Sequence, residues 1–230
     1  MQLILFDLDG TLLDTAPDLG AALNTLRAGH NLPPLPAARI RPLVSHGSPA
    51  LLKLGFGIEP QDSRYAGMRA QLLDIYRNCL NRETRFFPGI ESLLDALEQR
   101  ALRWGIVTNK PAALTQPLVE AFHLHTRAVC VVSGDSTPRR KPHPDQLLHA
   151  CALAGVEPQA AAYVGDAERD VEAAHSAGMR AVVALYGYIG EDEQPQNWRA
   201  DGLLVAPADL LGWLDHPAMA ISNMQEADGC

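Results

Sequence analysis

The chain has 230 residues, which is enough to bury a substantial apolar interior as one large domain or as a core with an insertion. Its 27 acidic residues exceed its 19 lysines and arginines, and the formal net charge of −8 argues against a general nucleic-acid surface. No apolar run approaches the roughly 20 residues of a membrane span, and the N-terminal run is too short for a signal peptide. The four cysteines, Cys79, Cys130, Cys151 and Cys230, form no CxxC pair. We therefore expect reduced thiols in a cytoplasmic protein with neither a membrane nor a nucleic-acid partner.

The first half of the chain opens with one strand pattern and continues with helical patterns. The apolar run Leu3–Phe6, which ends at polar residues, has the length of a buried strand. Helical spacing of apolar residues begins after Pro17, a residue that suits a first helical turn. The spacing continues to about Pro88 with no convincing strand, so residues 15–87 are predicted to form an all-helical insertion.

The second half of the chain alternates between strand and helix. The strand patterns are LRWGIVTN, AVCVVSGD, AAYVGD and AVVALYG, and helical patterns of about ten residues separate them. This alternation predicts an α/β fold with a parallel sheet that helices cover on both faces. We expect a Rossmann-like three-layer α/β/α core, built from residues 1–14 and 88–230, that carries the helical insertion.

Polar residues follow the strands of this predicted sheet. Ligands of such sheets bind outside the carboxyl ends of the strands. That edge would collect Asp7 and Asp9, Thr108 and Asn109, residues 133–135, and Gly165 and Asp166. The sequence therefore places one candidate site at the carboxyl edge of the sheet.

The acidic residues at this edge indicate a cation. Asp7 and Asp9 are two residues apart on an extended chain and point to the same side, and Asp166 arrives from another strand. One carboxylate pair at about 4 Å and an effective dielectric of ~20 costs roughly 4 kcal/mol, so the cluster needs protonation, intervening water or a cation. Oxygen ligands with no neighbouring histidine favour Mg²⁺ over zinc. Acids at strand ends that merely begin solvated turns are the alternative for any one of these residues.

Three further signals strengthen the site. Thr108 in VTNK offers a hydroxyl, and Lys141 in RRKPHP offers a cation suited to phosphate on a stem stiffened by two prolines. GDAERD places Asp166 and Asp170 at helical spacing. Taken singly, Lys141 also fits an ordinary solvated lysine and Thr108 an ordinary strand residue.

The motifs FDLDGTLLDT, VTNK, RRKPHPD and GDAERD occur in the order and approximate spacing of the haloacid dehalogenase superfamily of phosphatases, which the chain resembles over essentially its whole length. The insertion is similar to the helical cap domain of that superfamily. Within it, VVSGDSTPRRKPHPD and LYGYIGED resemble the phosphoglycolate phosphatases. RWGIVTNKP and QPQNWRAD resemble phosphatases that act on N-acetylmuramic acid 6-phosphate.

The resemblance implies a role for each motif residue. Asp7 would be the nucleophile that forms an aspartyl-phosphate, and Asp9 would act as general acid and then as base. Mg²⁺ would bind the side chains of Asp7 and Asp166 and the backbone carbonyl of Asp9. Lys141 and Thr108 would hold the phosphoryl group. Asp170 would orient Lys141 or act on the residues that contact the metal and the phosphoryl group. The remaining residues expected near the phosphate are Gly10, Thr11 and Asn109.

The substrate would be a small phosphorylated metabolite, with 2-phosphoglycolate as the leading expectation. N-acetylmuramic acid 6-phosphate, another sugar phosphate or a phosphomutase reaction are the alternatives. The cap segment SHGSP should decide, because it could turn toward the catalytic edge with Ser45, His46 and Gly47 near substrate. At this position phosphoglycolate phosphatases often carry two glycines separated by one residue, and the N-acetylmuramic acid 6-phosphate group carries two adjacent glycines. This sequence has Ser45, His46 and Gly47 instead. Arg39 or Arg41 could pair with a substrate carboxylate.

Two wider alternatives stay open. A catalytically silent ligand-binding protein on the same scaffold would fit if motif residues were replaced, but Asp7, Asp9, Lys141 and Asp166 are all present. A monomer and a homodimer are both compatible with the sequence. We predict hinges of a moving cap near residues 14–17 and 87–89.

Overall fold

The computed structural model describes residues 1–216. Eight strands, nine α-helices and four short 3-10 helices occur in this part of the chain. The strands are β1 Leu3–Phe6, β2 Leu13–Asp14, β3 Arg85–Phe86, β4 Arg103–Val107, β5 Val131–Val132, β6 Ala161–Gly165, β7 Arg180–Ala184 and β8 Gly202–Leu204. The helices are α1 Ala16–Gly29, α2 Ala37–Ile40, α3 Gly47–Phe56, α4 Tyr65–Arg77, α5 Ile90–Gln99, α6 Ala112–Ala121, α7 Asp145–Ala154, α8 Glu168–Ser176 and α9 Asp209–Asp215.

Six strands form one parallel sheet in the order β5-β4-β1-β6-β7-β8. Strand β1 lies between β4 and β6, with Leu3 opposite both Arg103 and Ala161. A strand with parallel neighbours on both sides and helices on both faces must be apolar throughout. All four residues of β1 are accordingly buried.

Helices cover both faces of the sheet, as the strand and helix alternation predicts. Side chains alternate along β1, so Ile4 and Phe6 enter one core cluster while Leu3 and Leu5 enter another. The first cluster contains residues of α5, α6 and α9, and the second contains residues of α7 and α8. The predicted three-layer α/β/α core with a parallel sheet is confirmed.

Helices α1 to α4 lie between β2 and β3 in the chain and pack against one another. Their buried residues, among them Leu23, Leu52 and Leu72, belong to the same apolar cluster as Ile4 and Phe6 of the core. The helical block therefore packs directly on the core through apolar side chains. No helix within the described residues is long and apolar enough to cross a membrane.

A short antiparallel ribbon connects the helical block to the core. Its strands β2 and β3 pair with Leu13 opposite Phe86 and Asp14 opposite Arg85. The buried carboxylate of Asp18, in the first turn of α1, accepts hydrogen bonds from the backbone amides of residues 82, 83 and 84 and from the Thr84 hydroxyl. Asp18 thus links the start of α1, which follows β2, to residues 82–84, which precede β3. Its position in the sequence suggests only a residue that begins a helix. The boundaries at residues 14 and 88 stay a prediction.

The structure adds elements that have no clear sequence pattern. Strand β3 lies inside the block expected to be helical, and two residues are too few to produce a period. Within the AVCVVSGD pattern only Val131–Val132 form a strand, β5. Strand β8, followed by α9, adds a sixth strand to the sheet beyond the last predicted one. Cys79, Cys130 and Cys151 are free thiols, and Cys230 lies outside the described residues.

Candidate active site

The predicted strand ends meet at the carboxyl edge of the sheet. Asp7 follows β1, Thr108 follows β4 and Asp166 follows β6. The amide of Asp7 still donates to the Val164 carbonyl at 2.9 Å, and the amide of Thr108 donates to the Val132 carbonyl at the same distance. Because the parallel ladder continues through these residues, their side chains are held at fixed positions on adjacent strands.

Three carboxylates form a buried acidic cluster at this edge. Ligand atoms of Asp7, Asp166 and Asp170 lie within 4.8 Å of one another, and all three residues are buried. Burial raises the pKa of Asp7 and, together with repulsion from Asp170 and Asp7, raises the pKa of Asp166 to about 7. Repulsion from Asp170 thus makes ionisation of both Asp7 and Asp166 harder, so the cluster favours bound cations.

Lys141 supplies one of these cations from within the protein. Its side chain is fully buried, and its Nζ lies 3.0 Å from Asp7 Oδ2 and 2.9 Å from Asp170 Oδ1. Nζ also donates to the Tyr163 hydroxyl at 2.5 Å, and that hydroxyl donates to the Val107 carbonyl at 2.7 Å. A buried lysine with two carboxylates and a polar acceptor is a structural element of the site, in contrast to the solvated lysine that the sequence also allowed.

Two amide side chains hold the loops that carry Lys141 and Thr108. Asn109 donates to the Lys141 carbonyl at 2.9 Å and accepts from the Lys141 amide at 3.1 Å. Gln146 accepts from the same amide and donates to the carbonyls of Thr108 and Ser133. Asn109 therefore positions Lys141 through its backbone, and its contact with phosphate stays a prediction. Gln146 has no motif that identifies it in the sequence.

Gly10 is needed because the chain approaches Asp166 closely. Its φ is +84°, and a Cβ at this position would overlap the Asp166 carboxylate. The Thr11 hydroxyl lies 3.4 Å from Asp166 Oδ1. The amides of Gly10 and Thr11 donate to the carbonyls of Leu13 and Leu8. The expected role of these two residues as phosphate donors stays a prediction, whereas their contact with Asp166 is direct.

Asp9 lies outside the acidic cluster and has a different set of partners. Its carboxylate accepts from the Thr15 hydroxyl at 2.6 Å and from Lys110 Nζ at 2.8 and 3.2 Å. Lys110 also donates to the hydroxyl of Tyr76 on α4 at 3.0 Å. The two carboxylates of the motif, which are two residues apart, therefore have different cations: Asp7 contacts Lys141, and Asp9 contacts Lys110. Lys110 is the last residue of the VTNK motif, but only the tertiary contact reveals what it touches.

The segment Ser45–Pro49 of the helical block lies over the carboxyl edge of the sheet. The Ser45 hydroxyl donates to Asp166 Oδ2 at 2.5 Å, and Arg169 Nη2 donates to the Ser45 carbonyl at 2.6 Å. His46 lies 3.5 Å from Glu193, and burial, the largest cause, lowers the pKa of His46. Gly47 has a φ of +69°, which allows the sharp entry into α3. The three predicted cap residues are therefore all near the site, and their contact with substrate stays a prediction.

A cavity of about 320 Å³ lies between this cap segment and the strand ends. Asp7, Asp9, Thr108 and Lys141 line it from the core, and residues 44–49 line it from the cap. One face of α4 also lines it, with Tyr65, Arg69, Leu73 and Tyr76. The cavity thus has a charged end at the strand tips and a mixed apolar and cationic wall on the cap.

The acidic cluster suits a hard divalent cation. All donor atoms of Asp7, Asp166 and Asp170 are carboxylate oxygens, and the neighbouring Thr11 and Ser45 groups are hydroxyls. Lys141 already offsets charge on Asp7 and Asp170, whereas the donors to Asp166 among residues 1–216 are neutral groups, Ser45, Thr11 and the Tyr188 amide. The cluster could hold a metal ion at Asp166, and the expected contribution of the Asp9 carbonyl stays a prediction.

The fold and the site together define a class of protein: an α/β protein with a buried acidic cluster and a buried lysine at the carboxyl edge of its sheet, beneath a helical cap. A family model described as haloacid dehalogenase-like hydrolase matches residues 4–184. The chain belongs to this family.

Curated relatives cover nearly the whole chain and are named phosphatases. The N-acetylmuramic acid 6-phosphate phosphatase of Pseudomonas aeruginosa is 37% identical over 215 residues, which cover 94% of this chain and 95% of the relative. The phosphoglycolate phosphatase of Xanthomonas campestris is 42% identical over 207 residues, which cover 90% of this chain and 93% of the relative. A crystal structure described as a predicted phosphoglycolate phosphatase from Haemophilus somnus superposes with a TM-score of 0.82 at 29% identity and covers 93% of this chain and 98% of that chain. The resemblance stated from the motifs is confirmed, and so is the expectation of a phosphatase.

Proposed function

We propose that this phosphatase is a magnesium-dependent phosphomonoester hydrolase that acts through an aspartyl-phosphate on Asp7. The observation that carries this proposal is the position of the Asp7 carboxylate, which lines the cavity while its Oδ2 lies 3.0 Å from the buried ammonium of Lys141. A carboxylate at the floor of a cavity can attack a phosphoryl group whose charge an adjacent cation offsets.

In the first half-reaction, an Asp7 carboxylate oxygen attacks phosphorus and the bond from phosphorus to the ester oxygen breaks. The leaving oxygen takes a proton from Asp9, and the phosphoryl group is then covalently attached to Asp7. Lys141 and the Thr108 hydroxyl hold the phosphoryl oxygens, and both residues line the cavity. Asp170, 2.9 Å from Lys141 Nζ, orients that ammonium.

In the second half-reaction, Asp9 takes a proton from a water molecule, whose oxygen attacks the phosphorus of the aspartyl-phosphate. The bond between phosphorus and the Asp7 oxygen breaks, orthophosphate leaves and the Asp7 carboxylate is regenerated. Asp9 is placed for both proton transfers because it is two residues from Asp7 and lines the same cavity. Thr15 and Lys110 hold its carboxylate in position.

Mg²⁺ would be held by Asp7, Asp166 and the backbone carbonyl of Asp9. When bound, it would offset the negative charge of the phosphoryl group and of the carboxylates around it. The raised pKa of Asp166 and the oxygen-only donor set support this assignment.

The leading substrate is 2-phosphoglycolate, supported by the 42% identity to the phosphoglycolate phosphatase of Xanthomonas campestris. N-acetylmuramic acid 6-phosphate is the second candidate. The volume of the cavity, about 320 Å³, favours this second candidate. Pockets for ligands of drug size have about 300–1,000 Å³, and a two-carbon acid needs less than that. Both candidates are phosphomonoesters that also carry a carboxylate.

We further propose that residues 15–87 form a cap that opens and closes over a core of residues 1–14 and 88–230. The β2 and β3 ribbon at these boundaries supports hinges near residues 14–17 and 87–89. The free thiols support a cytoplasmic location. We expect a monomer or a homodimer.

The test is a panel of phosphomonoesters that contains 2-phosphoglycolate, N-acetylmuramic acid 6-phosphate, several hexose phosphates and an aryl phosphate, each with Mg²⁺ and with a chelator. Asp7→Asn should abolish turnover of every ester, and acid-quenched wild-type enzyme should carry phosphate on Asp7. Asp74→Asn, at an exposed position on α4, is the control and should match wild type. Wild-type rates in Asp7→Asn would refute the nucleophile, and full activity in chelator would refute the metal.

A further inference from the structure

An arginine on the cap faces the cavity without a carboxylate partner. Arg69 is half-buried on α4, and its Nε donates to the Ser48 hydroxyl near the start of α3 at 3.1 Å. Within residues 1–216, no carboxylate forms an ion pair with Arg69. The Nε bond fixes the guanidinium plane and leaves its terminal N–H groups available to a ligand in the cavity that Arg69 lines.

Most of the other cations near the cavity already have partners. Lys110 is bound to Asp9 and Tyr76, and Lys141 is bound to Asp7 and Asp170. Arg169 donates to the cap backbone. Arg41, which the sequence suggested for a substrate carboxylate, instead pairs with Asp14 at 2.8 Å and lies over the Tyr188 ring.

The position of Arg69 on its helix sets a length for the ligand. Arg69 and Tyr76 are seven residues apart on the same face of α4, which corresponds to about 10 Å along the helix axis. Tyr76 lies at the Asp9 end of the cavity, because its hydroxyl contacts Lys110, and Leu73 lines the wall between. A ligand with phosphate at Asp7 and a second anion at Arg69 would therefore extend along this wall, which suits N-acetylmuramic acid 6-phosphate better than the two-carbon 2-phosphoglycolate.

We propose that Arg69, oriented by Ser48, binds a carboxylate of the substrate remote from the ester phosphate. This inference rests on the proposed phosphomonoesterase. It assigns to Arg69 the selection of phosphorylated acids over phosphorylated alcohols, because the planar fork of a guanidinium matches a carboxylate with two parallel hydrogen bonds.

The experiment compares kcat/KM for two matched pairs of esters. In the first pair, N-acetylglucosamine 6-phosphate lacks the lactyl ether, and hence the carboxylate, of N-acetylmuramic acid 6-phosphate. In the second pair, 2-hydroxyethyl phosphate replaces the carboxylate of 2-phosphoglycolate by an alcohol. In the first pair, Arg69→Gln should lower the ratio of acid to alcohol by about 10- to 100-fold, mainly through KM, since one charge-assisted contact is lost. The ratio of the second pair should change less, because 2-phosphoglycolate is too short to reach from Asp7 along the wall to Arg69.

Two further variants test the chemistry of the contact. Arg69→Lys should retain part of the ratio because it keeps the charge but loses the fork. Ser48→Ala should lower the ratio by a smaller factor because it frees the guanidinium plane. Arg77→Gln is the matched control, since Arg77 lies on the same helix and pairs with Asp74 at the surface, and its ratio should equal that of wild type.

The outcomes separate this inference from the proposed function. An unchanged ratio in Arg69→Gln for the first pair, or no preference of the wild type for the acid of that pair, with aryl phosphate turnover intact, would overturn the carboxylate contact alone. So would a lowered ratio in Arg140→Gln and not in Arg69→Gln, because Arg140 is the exposed cation that lines the core side of the cavity. Absence of any Mg²⁺-dependent turnover in the wild type would overturn both proposals.

Discussion

Replacement of Lys110 tests how Asp9 is held. The Lys110 side chain is 6% exposed and that of Asp9 is 16% exposed, with 2.8 Å between Nζ and Oδ1. Removal of one partner of a buried ion pair costs about 3–5 kcal/mol. Because Asp9 retains some contact with solvent and the Thr15 hydrogen bond, we expect Lys110→Met to cost about 3 kcal/mol, the lower end of that range. For a chain of this size the loss corresponds to a fall in Tm of about 6–12 °C.

Turnover should fall as well if Asp9 is the proposed proton-transfer group, because Lys110→Met leaves its carboxylate without the cation that fixes its position. General acid and base catalysis is worth about 10²–10⁴-fold, so we expect kcat on an aryl phosphate to fall by at least about tenfold. Tyr76→Phe keeps the ring, whose centroid lies 4.7 Å from Nζ, and loses one hydrogen bond, so its effects should be smaller.

The assays are thermal unfolding and steady-state kinetics at saturating Mg²⁺. Lys53→Met is the matched control, because Lys53 makes an ion pair of the same 2.8 Å length at the surface and should change neither Tm nor kcat. If Lys110→Met kept both the wild-type Tm and the wild-type kcat, Lys110 would not hold Asp9 in the working enzyme.

Three further predictions concern the linker, the acidic cluster and the hinge. Asp18→Asn should lower the free energy of unfolding by about 3 kcal/mol, measured by denaturant titration, since an amide N–H₂ would face backbone donors. Thr84→Val removes one hydroxyl and should cost less; the opposite order would contradict the role of Asp18 in holding residues 82–84. Burial raises the pKa of Asp166 from 3.8 to about 7, so the folded protein binds this proton more tightly than the unfolded chain, and without metal its stability should fall as pH rises through that range. Asp166→Asn should flatten this fall in Tm and abolish the rise in Tm with Mg²⁺; a persistent Mg²⁺ response would place the metal elsewhere. Gly89 has a φ of +92°, so Gly89→Ala should cost about 1–3 kcal/mol of stability. If residues 87–89 are a hinge, turnover should slow while the Mg²⁺ response of Tm is retained, and unchanged turnover would speak against that hinge.

The order of elements and the edge that carries the candidate site could be predicted because their signals are local. The apolar run of β1 and the helical period of α5 to α8 each occupy a few consecutive residues. Parallel strands bring their carboxyl ends to one edge, so Asp7, Thr108 and Asp166 could be placed together without coordinates. Two-residue strands such as β3 carry no period, and only their pairing partner defines them.

The partners of the site residues depended on the tertiary structure. Lys110 and Asp9 are 101 residues apart, and Ser45 and Asp166 are 121 residues apart. Arg69 and Asp18 belong to helices whose patterns predict only a buried face, and their polar contacts arise where those helices pack. The amino-acid sequence by itself determined the fold class and the common edge of Asp7, Thr108 and Asp166, since backbone periodicity and strand direction are sufficient for these. Only the packed chain decided which cation neutralises which carboxylate and which cap residues face the cavity, because ion pairs and hydrogen bonds depend on distances of about 3 Å between distant segments.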